Sequence, residues 1–158
     1  FQWCKNSRTN ILSIMSVKTK EFIHKVNSHL NGNVIVLGGW SKHYNGYIEH
    51  YDKHWIDISI TPESVDLVCE LGLKLDINGG HSWGGHIINQ FTVMCGVKPN
   101  RYFLDVFVSN KLEGYKEINN LKILTPQANI KWHQEAYAML QYKWLSEKIT
   151  NLKNLYNI

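Results

Sequence analysis

The chain has 158 residues, with 17 Lys and Arg against 13 Asp and Glu, a net charge of +4 and 44% hydrophobic residues. That length fits one domain able to bury about two-thirds of the surface its unfolded chain exposes. No stretch approaches the roughly 18 consecutive apolar residues of a membrane span, and Cys4, Cys69 and Cys95 are an odd, widely spaced set that excludes a disulfide scaffold and predicts free thiols.

Residues 1–14 are set aside as an extension that is non-native or disordered, because Met15-Ser16 reads as a natural start and Phe1-Gln2-Trp3-Cys4-Lys5-Asn6-Ser7-Arg8 lacks the order of a secretory signal. Residues 15–158 form the single domain. Ser16 is expected to cap a helix that carries Phe22, Ile23, Val26 and Leu30 on one face and stops at Asn31-Gly32. A buried strand over Val34-Ile35-Val36-Leu37 then runs into Gly38-Gly39-Trp40-Ser41. Two residues without a Cβ let the backbone turn sharply, approach a phosphate and aim amides at it before a helix begins. A short helix over residues 40–45 is ended by Gly46.

The next strand is Trp55-Ile56-Asp57-Ile58-Ser59-Ile60, followed by Thr61-Pro62-Glu63 as N-cap, N1 proline and first-turn acid of a helix through Val65, Leu67, Val68 and Leu71 to Gly72. Gly79-Gly80 and Gly84-Gly85 break the middle third into short pieces that read as hairpins. Beyond them come strands over 87–94, 102–108 and 121–124, with Lys98-Pro99-Asn100 as a turn. Thr125-Pro126 starts one long terminal helix whose stripe includes Ile130, Tyr137, Leu140, Trp144, Ile149, Leu152 and Leu155. Asp57 and Asp105 each sit centrally in an apolar strand, which is costly for a carboxylate without a partner.

Other chemistry is thinly represented. His50 and His54 are the one pair of histidines at i,i+4 spacing and no Cys-x-x-Cys accompanies them, so zinc is not expected; His81 and His86 bracket a loop. The basic residues are scattered, so the positive charge suits phosphate-bearing ligands without marking a nucleic-acid tract. A metal-dependent hydrolase built on the histidines is the third reading, behind the two that follow.

The order of elements, with Gly38-Gly39 ending the first strand, Asp57 on the second and Asp105 in Phe103-Leu104-Asp105-Val106-Phe107, resembles the nucleotidyltransferase fold of the polymerase beta superfamily, and in particular the small aminoglycoside-nucleotidyltransferase-like members. The likeness spans roughly residues 18–155. It implies an α+β fold, a mixed sheet flanked by helices and closed by a long C-terminal helix. It also implies transfer of a nucleoside monophosphate from a nucleoside triphosphate to an acceptor hydroxyl, with release of pyrophosphate. In that reading Gly38, Gly39, Ser41 and Lys42 bind the nucleotide, Asp57 and Asp105 are catalytic, and Mg2+ is held by Asp57, Asp105 and Ser59. Asp105 is the candidate base, and Lys53 a further phosphate contact.

The family pattern has two acids at i and i+2 of the second strand, where both side chains share a face. Here Trp55 or Ser59 stands where the partner of Asp57 would be, and Glu49 or Asp52 from the preceding loop are the substitutes on offer. The alternative is a catalytically degenerate fold that binds a nucleotide, a nucleic acid or a host protein, with Trp40, Trp55 and Trp83 as stacking surface. The acceptor stays open between small molecule, RNA and protein side chain. The location expected is cytoplasmic, in a host cytoplasm if the Lys-, Asn-, Ile- and Tyr-rich composition reflects a phage origin.

Overall fold

The structure is a computed structural model that describes the backbone of residues 7–75 and 86–158 and the side chains of residues 18–75 and 86–158. Both Gly-Gly pairs of the middle third, together with His81 and Trp83, lie outside these residues. Among the described residues the fold is α+β, with five α-helices and a mixed sheet of seven strands. None of the described helices is long and apolar enough to cross a membrane.

Helix α1 covers Ser7–His29. It does not begin at Ser16, because no glycine or proline interrupts residues 7–29 and Ser16 is taken into the helix interior. The stop is as expected, with Asn31 and Gly32 both at positive φ. Strand β1 is the dipeptide Ile35–Val36, and α2 follows immediately over Gly38–Tyr44, so Gly38-Gly39 forms the first turn of this helix.

Strand β2 covers Trp55–Ile60. Pro62–Ser64 make one 3-10 turn and α3 covers Val65–Cys69. Strand β3 (Leu73–Leu75) is an addition to the expected elements. Strands β4 (Ile87–Cys95) and β5 (Tyr102–Ser109) match their sequence patterns. Strand β6 (Tyr115–Ile118) is a second addition, joined to β7 (Leu121–Leu124) by Asn119-Asn120, both at positive φ as a tight hairpin turn requires.

The expected long terminal helix is two. Helix α4 covers Pro126–Leu140 and α5 covers Lys143–Tyr156, separated at Gln141, which adopts a left-handed conformation (φ 58°). Thr125 caps α4 by accepting a hydrogen bond from the Ala128 amide at 3.1 Å. The second helix folds back on the first: Leu152 and Tyr156 near the end of α5 pack on Ile130 near the start of α4, and Asn129 Nδ2 donates to Tyr156 Oη at 3.0 Å.

The strand order is β3-β4-β5-β2-β1-β7-β6. Strand β2 is parallel to β5 and antiparallel to β1, while β1 is parallel to β7. Alternation along the strands divides the core. One face, with Ile56, Ile58, Leu104 and Val106, packs on Ile23, Val26 and Leu30 of α1 and Val68 of α3. The other face, with Ile35, Leu37 and Phe107, packs on Ala128 and Trp132 of α4. Asp57 and Asp105 alternate with the first set and therefore belong to the second face.

Candidate active site

Asp57 and Asp105 are direct register partners on the parallel strands β2 and β5. Two residues opposite each other on neighbouring strands point to the same face with their Cβ atoms roughly 5 Å apart. The two carboxyl groups meet and are linked by a hydrogen bond. Thr92, the register partner of Asp105 on β4, donates its hydroxyl to Asp105 Oδ1 at 2.7 Å and fixes that carboxyl from the far side.

The pair is surrounded by cations from the helices. Burial, then the charge of Asp105, pushes the Asp57 carboxyl up to about 7, against the opposing pull of Lys148 and Lys42. Lys42, on α2, is itself lowered to about 8 by burial and by the ammonium of Lys148 beside it, which reaches in from α5. His133, on α4 and 4% exposed, holds its Nδ1 at 2.7 Å from the Asn129 carbonyl, and burial lowers its pKa, with both lysines acting in the same direction. Two carboxyls faced by two lysines make a compact cluster of opposed charges.

The glycines support this cluster in a specific way. A Cβ on Gly38, which has φ +58°, would overlap Asp57 Oδ2, and one on Gly39 would overlap the hydroxyl and ring of Tyr51. The absent side chains therefore give room to the Asp57 carboxyl and to Tyr51, whose hydroxyl is raised by burial and by the nearby Asp57 charge. Tyr51 also sets its ring edge against Trp40, centroids 4.9 Å apart.

Of the remaining residues singled out in the sequence, Ser41 is 1% exposed and donates its hydroxyl to the Gly38 carbonyl at 2.6 Å, tying off the first turn of α2. Ser59 shares the face of Asp57 but is fully buried, with Oγ 3.4 Å from Ser109 Oγ. Lys53 is exposed, and its carbonyl accepts from Trp40 Nε1 at 2.9 Å. Glu49 is exposed beside His50, with Oε1 3.9 Å from its Nε2. His54 places Nδ1 2.9 Å from the Arg101 carbonyl and stacks on Tyr102. Trp40 is a core residue, 1% exposed, and Trp55 is 47% exposed and stacked on Phe103. Cys69 and Cys95 are free thiols, the latter pushed up to about 11 by burial.

Lys148, His133 and Tyr51 are members of the cluster that the sequence did not single out. Lys148 was hidden by the misread terminal helix: a continuous helix would carry it far from the sheet, and the turn at Gln141 brings it back.

Among the described residues no group of three or more His, Cys, Asp or Glu could hold a metal ion. Two adjacent carboxylates are nevertheless the donor set from which Mg2+ is held when substrate phosphates and water complete its octahedron. The mutual hydrogen bond and raised Asp57 also fit, since a cation between the acids would relieve the repulsion that keeps a proton there. No family model, no curated protein and no solved structure matches this chain.

Proposed function

We propose that the protein is a nucleotidyltransferase-like enzyme that moves a nucleoside monophosphate from a nucleoside triphosphate to an acceptor hydroxyl. The observation that carries this reading is the carboxyl pair of Asp57 and Asp105, in register on parallel strands and faced by two lysines. The strand leading into Gly38-Gly39, the strand of Asp57 and the strand of Asp105 are consecutive in the sheet, which supports the reading by bringing the glycine turn and both acids together.

Asp57 and Asp105 would hold Mg2+, whose contribution when bound is to offset charge on the phosphates during an in-line displacement. Lys42 and Lys148 are suited to the triphosphate tail: two neighbouring ammonium groups, one of which lowers the pKa of the other, gain by taking an anion between them. The acceptor oxygen bonds to the α-phosphorus while the bond from that phosphorus to pyrophosphate breaks. Asp105, oriented by Thr92, takes the hydroxyl proton. Gly38 and Gly39 keep the carboxyl of Asp57 and the ring of Tyr51 close to the start of α2. Ser41 acts there through the backbone turn it ties.

A second reading, binding of a nucleotide without turnover, is favoured by one observation: Trp55 occupies the position two residues before Asp57, on the same face, where a further acid would sit. Incubation with Mg2+ and each labelled nucleoside triphosphate separates the two. Pyrophosphate release that disappears in Asp57→Asn and Asp105→Asn supports the transferase. Binding without release supports the module, and absence of binding to any triphosphate overturns both.

A further inference from the structure

We propose that Trp55, backed by Phe103, presents the ring face on which a nucleobase stacks, an inference that rests on the phosphate-handling reading of the adjoining acids and lysines. The two residues are register partners on β2 and β5, two residues before Asp57 and Asp105 and on the same face. Their rings lie 4.3 Å apart between centroids and 11° from parallel. Burial does not account for the pair, since Trp55 keeps 47% of its surface exposed while its strand neighbour Ile56 is 1% exposed.

The spacing is what gives the pair a ligand. Successive residues on one face of a strand are about 6.6 Å apart, so a flat apolar surface adjoins a cluster of carboxyls and ammonium groups within the reach of one nucleotide. A ligand that combines a planar ring with phosphates meets both halves, and stacking on an aromatic side chain accepts any base. The start of α2 lies at this same end of β2, because β1 runs antiparallel to β2 and ends opposite Ile58, after which the Leu37 amide donates to the Asp57 carbonyl at 2.8 Å. The start of α2 therefore lies toward the Trp55 end of β2. Trp55 thus replaces an acid with a recognition surface, and the protein selects its nucleotide by ring as well as by phosphate.

The test is to titrate the wild-type chain, Trp55→Ala and Trp55→Phe with four probes. The probes are inorganic tripolyphosphate, ribose 5-phosphate, a nucleoside triphosphate and a short single-stranded oligoribonucleotide. Base stacking predicts that Trp55→Ala weakens the nucleoside triphosphate between about 5-fold and about 150-fold. It also predicts that tripolyphosphate and ribose 5-phosphate are unchanged and that Trp55→Phe restores most of the loss. A loss confined to the oligoribonucleotide would assign the ring face to the base of an RNA acceptor, and a loss confined to the triphosphate to the donor. Equal weakening of tripolyphosphate, or no change with any base-bearing probe, overturns the stacking face. Failure of every phosphate probe to bind the wild type would overturn the proposed function itself. Because Trp55 is exposed, both variants are expected to fold, which their unfolding curves check.

Discussion

Asp57→Asn is expected to make the protein more stable at alkaline pH while it abolishes the chemistry. The Asp57 carboxyl, ordinarily near 3.8, is pushed up to about 7 by burial and by Asp105. Its folded pKa lies above its unfolded value, so ionisation opposes folding: the penalty is absent below about 4, grows as pH rises and is fully present above about 7. A displacement of that size corresponds to about 4 kcal/mol at the high-pH limit. The asparagine amide must itself be desolvated and gives up an ion's attraction to Lys148 and Lys42, so the net gain expected from the substitution is on the order of 1–3 kcal/mol. Urea unfolding of both proteins at about pH 5 and about pH 8.5 measures it, with the difference between variants growing toward the higher pH. Equal stabilities at both pH values, or a variant that is the less stable one at high pH, would refute the raised Asp57 carboxyl on which the reasoning rests.

The remaining expectations concern the residues around that pair. Saturating Mg2+ should stabilise the wild type at neutral pH by about 2.7 kcal/mol at a hundredfold excess over its Kd, raising its unfolding midpoint, and should leave Asp57→Asn nearly unmoved; calorimetric scans with and without the ion check this. Gly39→Ala should cost about 1–3 kcal/mol because the new methyl overlaps Tyr51, and the loss should shrink when combined with Tyr51→Ala, a coupling that a double-mutant cycle reads directly. His133, whose pKa is lowered by burial, contributes stability that is lost as pH falls through the ordinary histidine value of 6.5; His133→Gln should flatten stability over that window, measured by denaturation between about pH 7 and about pH 5. Gln141→Gly should leave the helix break intact and stabilise by about 0.5–1 kcal/mol, as its left-handed backbone is natural to glycine.

How much of this was legible in the sequence differs between centre and edges. The strands carrying Asp57 and Asp105 announce themselves because each is apolar on a buried face, and an acid in such a run stands out. The edge strands do not: Leu73-Lys74-Leu75 and Tyr115-Lys116-Glu117-Ile118 bury too little surface to impose a pattern, and are held as strands by pairing with β4 and β7. The turn at Gln141 is illegible for a related reason. A left-handed glutamine has no propensity signature, and the apolar residues on either side keep helical spacing although they belong to two helices that face each other. That single misreading concealed Lys148. Gly38-Gly39 was found for its turn, and the structure adds that the space left by the missing methyl groups belongs to Asp57 and Tyr51.

The brevity of β1 has a mechanical implication. Among the described residues, the two residues of β1, Ile35 and Val36, are the strand that joins the β3-β4-β5-β2 portion of the sheet to β7 and β6, extended on the β2 side by the Leu37 amide bond to the Asp57 carbonyl. A seam that narrow leaves much of the contact between the two blocks to side chains, with Leu37, Phe107 and Trp132 packed together on one face. The acids ride on the first block and Lys148 is carried by the helical arm that follows the second. The placing of the ammonium against the carboxyls is thus set by side-chain packing across the seam as much as by strand pairing.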